Sequence, residues 1–165
     1  MTPASASDLR ILTAQLGRPV RDVIGIAARC ACGAPTVVST RPRLSDGTPF
    51  PTFYYLTHPA ATAAVSTLEA EGRMPQLAAL LTDDIAAAYR AAHERYLADR
   101  ESVLDVDEIA GISAGGMPDR VKCLHALVGH ALAAGPGVNP IGDLALDEAH
   151  WSPTRCECPD YGAVA

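Results

Sequence analysis

Val20-Arg21-Asp22-Val23-Ile24-Gly25-Ile26-Ala27-Ala28 and Pro35-Thr36-Val37-Val38-Ser39-Thr40 are two short runs rich in β-branched residues, and Arg29-Cys30-Ala31-Cys32-Gly33-Ala34 lies between them. Runs of this length and composition read as strands, and a six-residue connection containing Gly reads as a hairpin turn. The pair is therefore expected to be antiparallel. On its C-terminal side, Pro42–Pro51 is dense in turn formers, and Thr52-Phe53-Tyr54-Tyr55-Leu56-Thr57 supplies a third, aromatic strand. On its N-terminal side, Asp8–Gly17 predicts a short helix. Ser7 is placed as its N-cap, Leu9, Leu12 and Leu16 recur at helical spacing, and Gly17 is a natural stop.

After Pro59 the hydrophobic period changes to that of helices. Ala60–Glu71 predicts one helix, ended by Gly72. Met74–Arg100 predicts one or two more, broken near Thr82-Asp83-Asp84, with Thr82 as a candidate N-cap. Residues 101–112 are acidic and irregular. Pro118–Ala134 predicts a further helix with Pro118 in the favoured first turn, and Asn139-Pro140 opens a last one ending near His150. The fold class expected is α+β, with a small antiparallel sheet of about three strands near the N-terminus packed against four to six helices. A chain of 165 residues suits a single domain over 1–165, with a core at 8–150 and flexible tails at 1–7 and 152–165.

The net charge is −6. Residues 1–50 hold six arginines against Asp8, Asp22 and Asp46, so the acidity lies in the remainder. An acidic chain is a poor candidate for nucleic acid. Met1-Thr2-Pro3-Ala4-Ser5-Ala6-Ser7 has neither a basic n-region nor an apolar h-region, and no apolar run approaches the ~20 residues of a membrane span. The expected setting is the cytoplasm, where five cysteines point away from a disulfide framework and toward metal ligands, reactive thiols or small core residues.

Two pairs, Cys30-Ala31-Cys32 and Cys123-Leu124-His125, each place two soft-metal ligands at i,i+2. On a turn such a pair can converge on one ion. On a regular helix it cannot, because residues two apart point ~200° away from each other. His58, at the end of the third strand, is a further candidate ligand. Zinc, with four Cys or His ligands, is the metal this set suggests. Small core thiols and satisfied histidines are the competing reading. Cys156-Glu157-Cys158 repeats the spacing, but in a segment read as a loose tail, where it is taken as incidental.

Ser113-Ala114-Gly115-Gly116-Met117-Pro118 before a helix suggests an anion-binding loop, with Gly115 and Gly116 open to a phosphate or carboxylate and Arg43, Arg120 and Lys122 as charged contacts. It lacks the P-loop pattern, and a plain loop entering a helix fits equally. Tyr89, His93, Tyr96 and Arg100 share one helix face, either as a pocket with His93 as acid–base residue or as an amphipathic edge with its rings packed inward. Cys123, near Lys122 and a helix start, is a candidate reactive thiol.

Several blocks resemble one family: Arg29-Cys30-Ala31-Cys32-Gly33-Ala34-Pro35, Pro42-Arg43-Leu44-Ser45-Asp46-Gly47-Thr48-Pro49-Phe50-Pro51-Thr52, Tyr55-Leu56-Thr57, Ala88-Tyr89-Arg90-Ala91-Ala92-His93-Glu94, Ser113 through His125, and Gly135-Pro136-Gly137-Val138-Asn139-Pro140. Over roughly residues 8–150 the chain resembles the bacterial, mainly actinobacterial, domain-of-unknown-function family five hundred and one. The resemblance implies a small cytosolic protein with no assigned reaction. It also implies Cys at position 58 in many relatives, an exchange with His that keeps ligand ability. The resulting expectation is a non-enzymatic or regulatory protein whose partner is another protein or a small anion. It carries a Cys/His metal site (Cys30, Cys32, His58, Cys123, His125) and an adjacent anion loop. The alternative is an enzyme acting on an anionic or phosphorylated small molecule through His93 or Cys123.

Overall fold

The computed structural model describes residues 1–161. In chain order these form β1 (Thr2–Pro3), α1 (Ala6–Leu16), β2 (Val23–Arg29), β3 (Pro35–Thr40), β4 (Tyr54–Leu56), α2 (Pro59–Ala70), α3 (Arg73–Ala78), α4 (Asp83–Glu101), a short 3-10 turn at Asp107–Ile109, α5 (Leu124–Ala134) and α6 (Pro140–Ala149). The sheet runs in the order β1-β2-β3-β4, antiparallel throughout. The α+β architecture is the one expected, with one strand more. Thr2 and Pro3 pair with Ile26 and Gly25, within residues expected to be a frayed tail.

β3 is buried along its whole length, because helices cover both faces of the sheet. Val38 pairs with Tyr55 and packs with Leu12 of α1 and Ile26. Val37, paired with Leu56, points to the other face, into a larger core with Val65, Leu124, Leu127, Val128 and Ile141. α5 lies across that face. Gly142 lets α6 cross close to it, since a Cβ there would meet the Leu127 carbonyl and the Ala131 methyl.

Two helix starts differ most from the sequence reading. α1 begins earlier, because Ser5 rather than Ser7 caps it. Ser5 Oγ accepts from the Asp8 N–H at 3.1 Å, and the Asp8 carboxylate accepts from the Ser5 N–H at 2.9 Å, a reciprocal box. α5 begins at Leu124, six residues beyond Pro118. The intervening chain closes turns of its own, with the Arg120 N–H donating to the Gly116 carbonyl at 2.9 Å and the Lys122 N–H to the Gly115 carbonyl at 2.8 Å. Arg120 and Lys122 therefore precede the helix instead of lying in its first turn.

Three members of the α4 stripe are tied into the fold by hydrogen bonds. The Tyr89 hydroxyl donates to the Arg120 carbonyl at 3.0 Å, and the Tyr96 hydroxyl donates to the Pro51 carbonyl at 3.1 Å. The Arg100 guanidinium is buried and donates to the carbonyls of Ile109 and Ile112, which fixes the acidic loop. Among the described residues, no helix is long and apolar enough to cross a membrane.

Candidate metal centre

The β2–β3 turn is built around two thiols. The Gly33 N–H donates to the Cys30 carbonyl at 2.8 Å and the Cys30 N–H to the Ala34 carbonyl at 2.9 Å. Gly33 adopts φ +89°, which a side chain would resist. Arg29 braces the base of the turn. It donates to both Asp8 carboxylate oxygens, at 2.6 and 3.0 Å, and to the Gly33 carbonyl at 2.9 Å. Cys30 is buried and Cys32 exposed.

The segment after α6 runs to this turn. Trp151 is buried, with its ring 5.0 Å from that of His58, and the Pro153 carbonyl accepts from the Ala31 N–H at 2.8 Å. Cys156 and Cys158 thereby reach Cys30 and Cys32. The four sulfurs lie within 4.8 Å of one another, and Cys32 Sγ is 3.4 Å from Cys158 Sγ. These four thiols can hold a metal ion. Tetrahedral zinc with bonds of about 2.3 Å places its sulfurs about 3.8 Å apart, so little movement is required.

Polar hydrogens surround the sulfurs. The Cys32 N–H points to Cys30 Sγ and the Ala34 N–H to Cys32 Sγ. Buried His58 accepts from the Ala61 N–H at Nδ1, 3.4 Å away, as the cap of α2. Its proton is then on Nε2, 3.1 Å from Cys158 Sγ. Burial holds His58 below its ordinary value, so the ring stays neutral. Burial pushes the Cys30 thiol up, and burial and the neighbouring thiols push Cys158 well up. For Cys32 burial is outweighed by the Ala34 N–H and the adjacent thiols, and its value falls. Thiols this close cannot all ionise without a cation among them.

The five expected ligands do not form one cluster. Cys30 and Cys32 gather with Cys156 and Cys158, and His58 touches that group from outside, through Cys158. Cys123 and His125 gather instead with Glu69 of α2. They converge because Cys123 is the N-cap of α5, with extended backbone (φ −152°, ψ 110°), so the helical 200° separation does not apply. Glu69 Oε1 accepts from the Leu124 N–H at 2.6 Å and lies 3.2 Å from His125 Nδ1. The hydrogen bond with Cys123, together with Glu69, pushes His125 up to about 9, and the same hydrogen bond holds the Cys123 thiol down.

Of the remaining candidates, Gly115, Gly116, Arg120 and Lys122 share one loop, while Arg43 makes its hydrogen bonds outside it. Arg43 donates to the Gly47 carbonyl at 2.8 Å and to Glu108 at 2.6 Å. Arg120 and Lys122 are exposed, while Gly115 and Gly116 turn the loop they follow. His93 Nδ1 is 2.9 Å from Ser113 Oγ. Sequence reasoning set Cys156 and Cys158 aside as incidental and missed Glu69. The repeated C-x-C spacing was the signal for the first two, and a carboxylate one helix away left none.

A protein family of unknown function, DUF501, matches residues 26–147. The chain belongs to this family. The matched stretch holds Cys30, Cys32, His58, Glu69, Cys123 and His125, and it ends before Cys156 and Cys158. No curated protein and no solved structure matches the chain.

Proposed function

We propose that this is a non-enzymatic zinc protein of the cytoplasm, in which Cys30, Cys32, Cys156 and Cys158 bind one ion and clasp the C-terminal segment to the β2–β3 turn. The observation that carries the reading is the convergence of four sulfurs from two C-x-C pairs within 4.8 Å. All four ligands are thiolates and leave no position for substrate, as in closed structural zinc sites. The His58 Nε2–H and the two turn N–H groups offset the excess negative charge on the sulfurs, the usual outer support of a thiolate centre. His58 is a support, not a ligand.

The test is metal analysis of protein purified without a polyhistidine tag, beside Cys32→Ser/Cys158→Ser. The wild type should retain about one equivalent of zinc more than the double variant. Equal zinc contents, with Cys32 and Cys158 alkylating freely in both metal-replete and metal-stripped wild type, would refute the reading.

A further inference from the structure

We infer that Glu69, Cys123 and His125 form a second metal site, of open type, for a borderline divalent ion such as zinc. It takes a different donor set from the clasp and stands whether or not the clasp binds metal. Three observations converge on it.

The first is the donor arrangement. A carboxylate oxygen, a thiol sulfur and an imidazole nitrogen, from two elements, all lie within 4.8 Å of one another. Zinc bonds of about 2.0–2.3 Å to oxygen, nitrogen and sulfur put such donors about 3.3–3.8 Å apart. A thiolate and a carboxylate also neutralise a divalent ion, which suits a half-buried place where His125 and Glu69 side chains are 27% and 25% exposed.

The second is the far side of the imidazole. His125 Nε2 lies 3.3 Å from the Thr62 carbonyl and 3.1 Å from Ser66 Oγ, both on α2. With Nε2–H tied to a backbone carbonyl, the nitrogen left to meet an ion is Nδ1, the atom facing Glu69, and Nδ1 would give up its own proton on metal binding. A metal-binding histidine is normally held this way.

The third is the cavity beside it. Three protein ligands leave one position of a tetrahedron for water or a small anion. Cys123 and His125 line a cavity of about 250 Å³ with Thr52, Tyr55, Thr62 and Ala126. The clasp leaves no such position, so the two centres differ in kind.

The test uses the full chain carrying Cys32→Ser/Cys158→Ser, stripped of metal and reloaded with Co(II), whose visible spectrum reports ligand type. We expect about one equivalent of cobalt, with a sulfur-to-cobalt charge-transfer band of single-thiolate intensity and d–d bands that shift when azide is added. Adding Cys123→Ser should remove the charge-transfer band. Adding Glu69→Gln, which keeps an acceptor for the Leu124 N–H and so preserves the helix cap, should weaken cobalt binding at least tenfold. Cobalt below about a tenth of an equivalent in the clasp variant, with its circular dichroism unchanged, would overturn the proposal. So would undiminished binding in the Glu69→Gln and Cys123→Ser chains. A spectrum indifferent to azide would overturn the open position. The clasp can fail its own test with this site intact, because each variant pair removes one donor set.

Discussion

Single side chains carry two measurable consequences. Asp8 serves both the Ser5 box and the Arg29 brace, and the Arg29 guanidinium, against a smaller opposing effect of burial, holds its carboxyl down to about 2. Replacement by Asn weakens the ion pair and the cap together and should destabilise the protein by about 1–2 kcal/mol in urea titrations. Loosening of the turn that carries Cys30 and Cys32 should accompany it. His130 adds a pH dependence of the same sign in a higher pH window. It is fully buried, stacked at 5.7 Å on Tyr54, with Asn139 Nδ2 3.2 Å from its Nδ1. Burial pushes it down to about 4, while Asp99 and Arg95 pull in opposite directions. Its folded value lies below its unfolded one, so between about pH 6.5 and 4 the unfolded chain binds the extra proton and stability falls as pH falls. The loss should reach the order of 2–3 kcal/mol by pH 4, read as a falling urea midpoint. His130→Leu should flatten that slope, and a slope unchanged in that variant would assign the titration elsewhere.

Elements meet at two places where the arrangement can be tested. At the α5–α6 crossing Gly142→Ala forces a methyl against the Leu127 carbonyl and should cost about 1–3 kcal/mol, measured by thermal unfolding. At the C-terminal segment the hold on the turn includes one backbone hydrogen bond from Ala31 and the shared sulfurs. Arg155, 68% exposed in its side chain, is a ready trypsin site there. Removing metal should speed cleavage after Arg155 by about tenfold, and Cys32→Ser should cleave at that faster rate with metal present. Equal rates with and without chelator would detach the clasp from the metal. The elements themselves were legible where a local signal was strong: Pro35–Thr40, the stop at Gly72, the break at Thr82 and the Asn139 cap all lie where the sequence puts them. The start of α5 was not, because Pro118 in a first turn and Pro118 in a loop look alike until the Gly115–Lys122 hydrogen bond is seen. The candidate site was legible in half. Cys30 and Cys32 announce themselves by turn chemistry, whereas Cys158 meets Cys32 across 126 residues of chain, a pairing that spacing alone does not encode.

At the scale of the whole molecule, the clasp closes a fold that is already complete without it. The larger core gathers Val37, Leu56, Val65, Tyr89, Tyr96, Leu127 and Ile141, and none of these depends on the four thiols. A chain of 165 residues buries enough of its surface, roughly 70%, to fold on apolar contacts. A metal held there would therefore add stability to a folded state, unlike a zinc finger, where it creates that state. An ion present at about 1,000 times its dissociation constant adds about 4 kcal/mol by mass action. At about 2–4 °C per kcal/mol for a chain of this size, chelation should lower Tm by roughly 8–16 °C. Calorimetry should still show a single cooperative transition. The measurement belongs in the Glu69→Gln chain, where the clasp ion alone is in play. Loss of any cooperative transition on chelation would make the metal the organiser of the fold. An unshifted Tm in protein shown to have lost its zinc would mean that the clasp holds the last segment without stabilising the rest. The intermediate outcome is the one expected of this architecture, because the candidate ligands join a terminal segment to a turn and leave the sheet and helices to apolar packing.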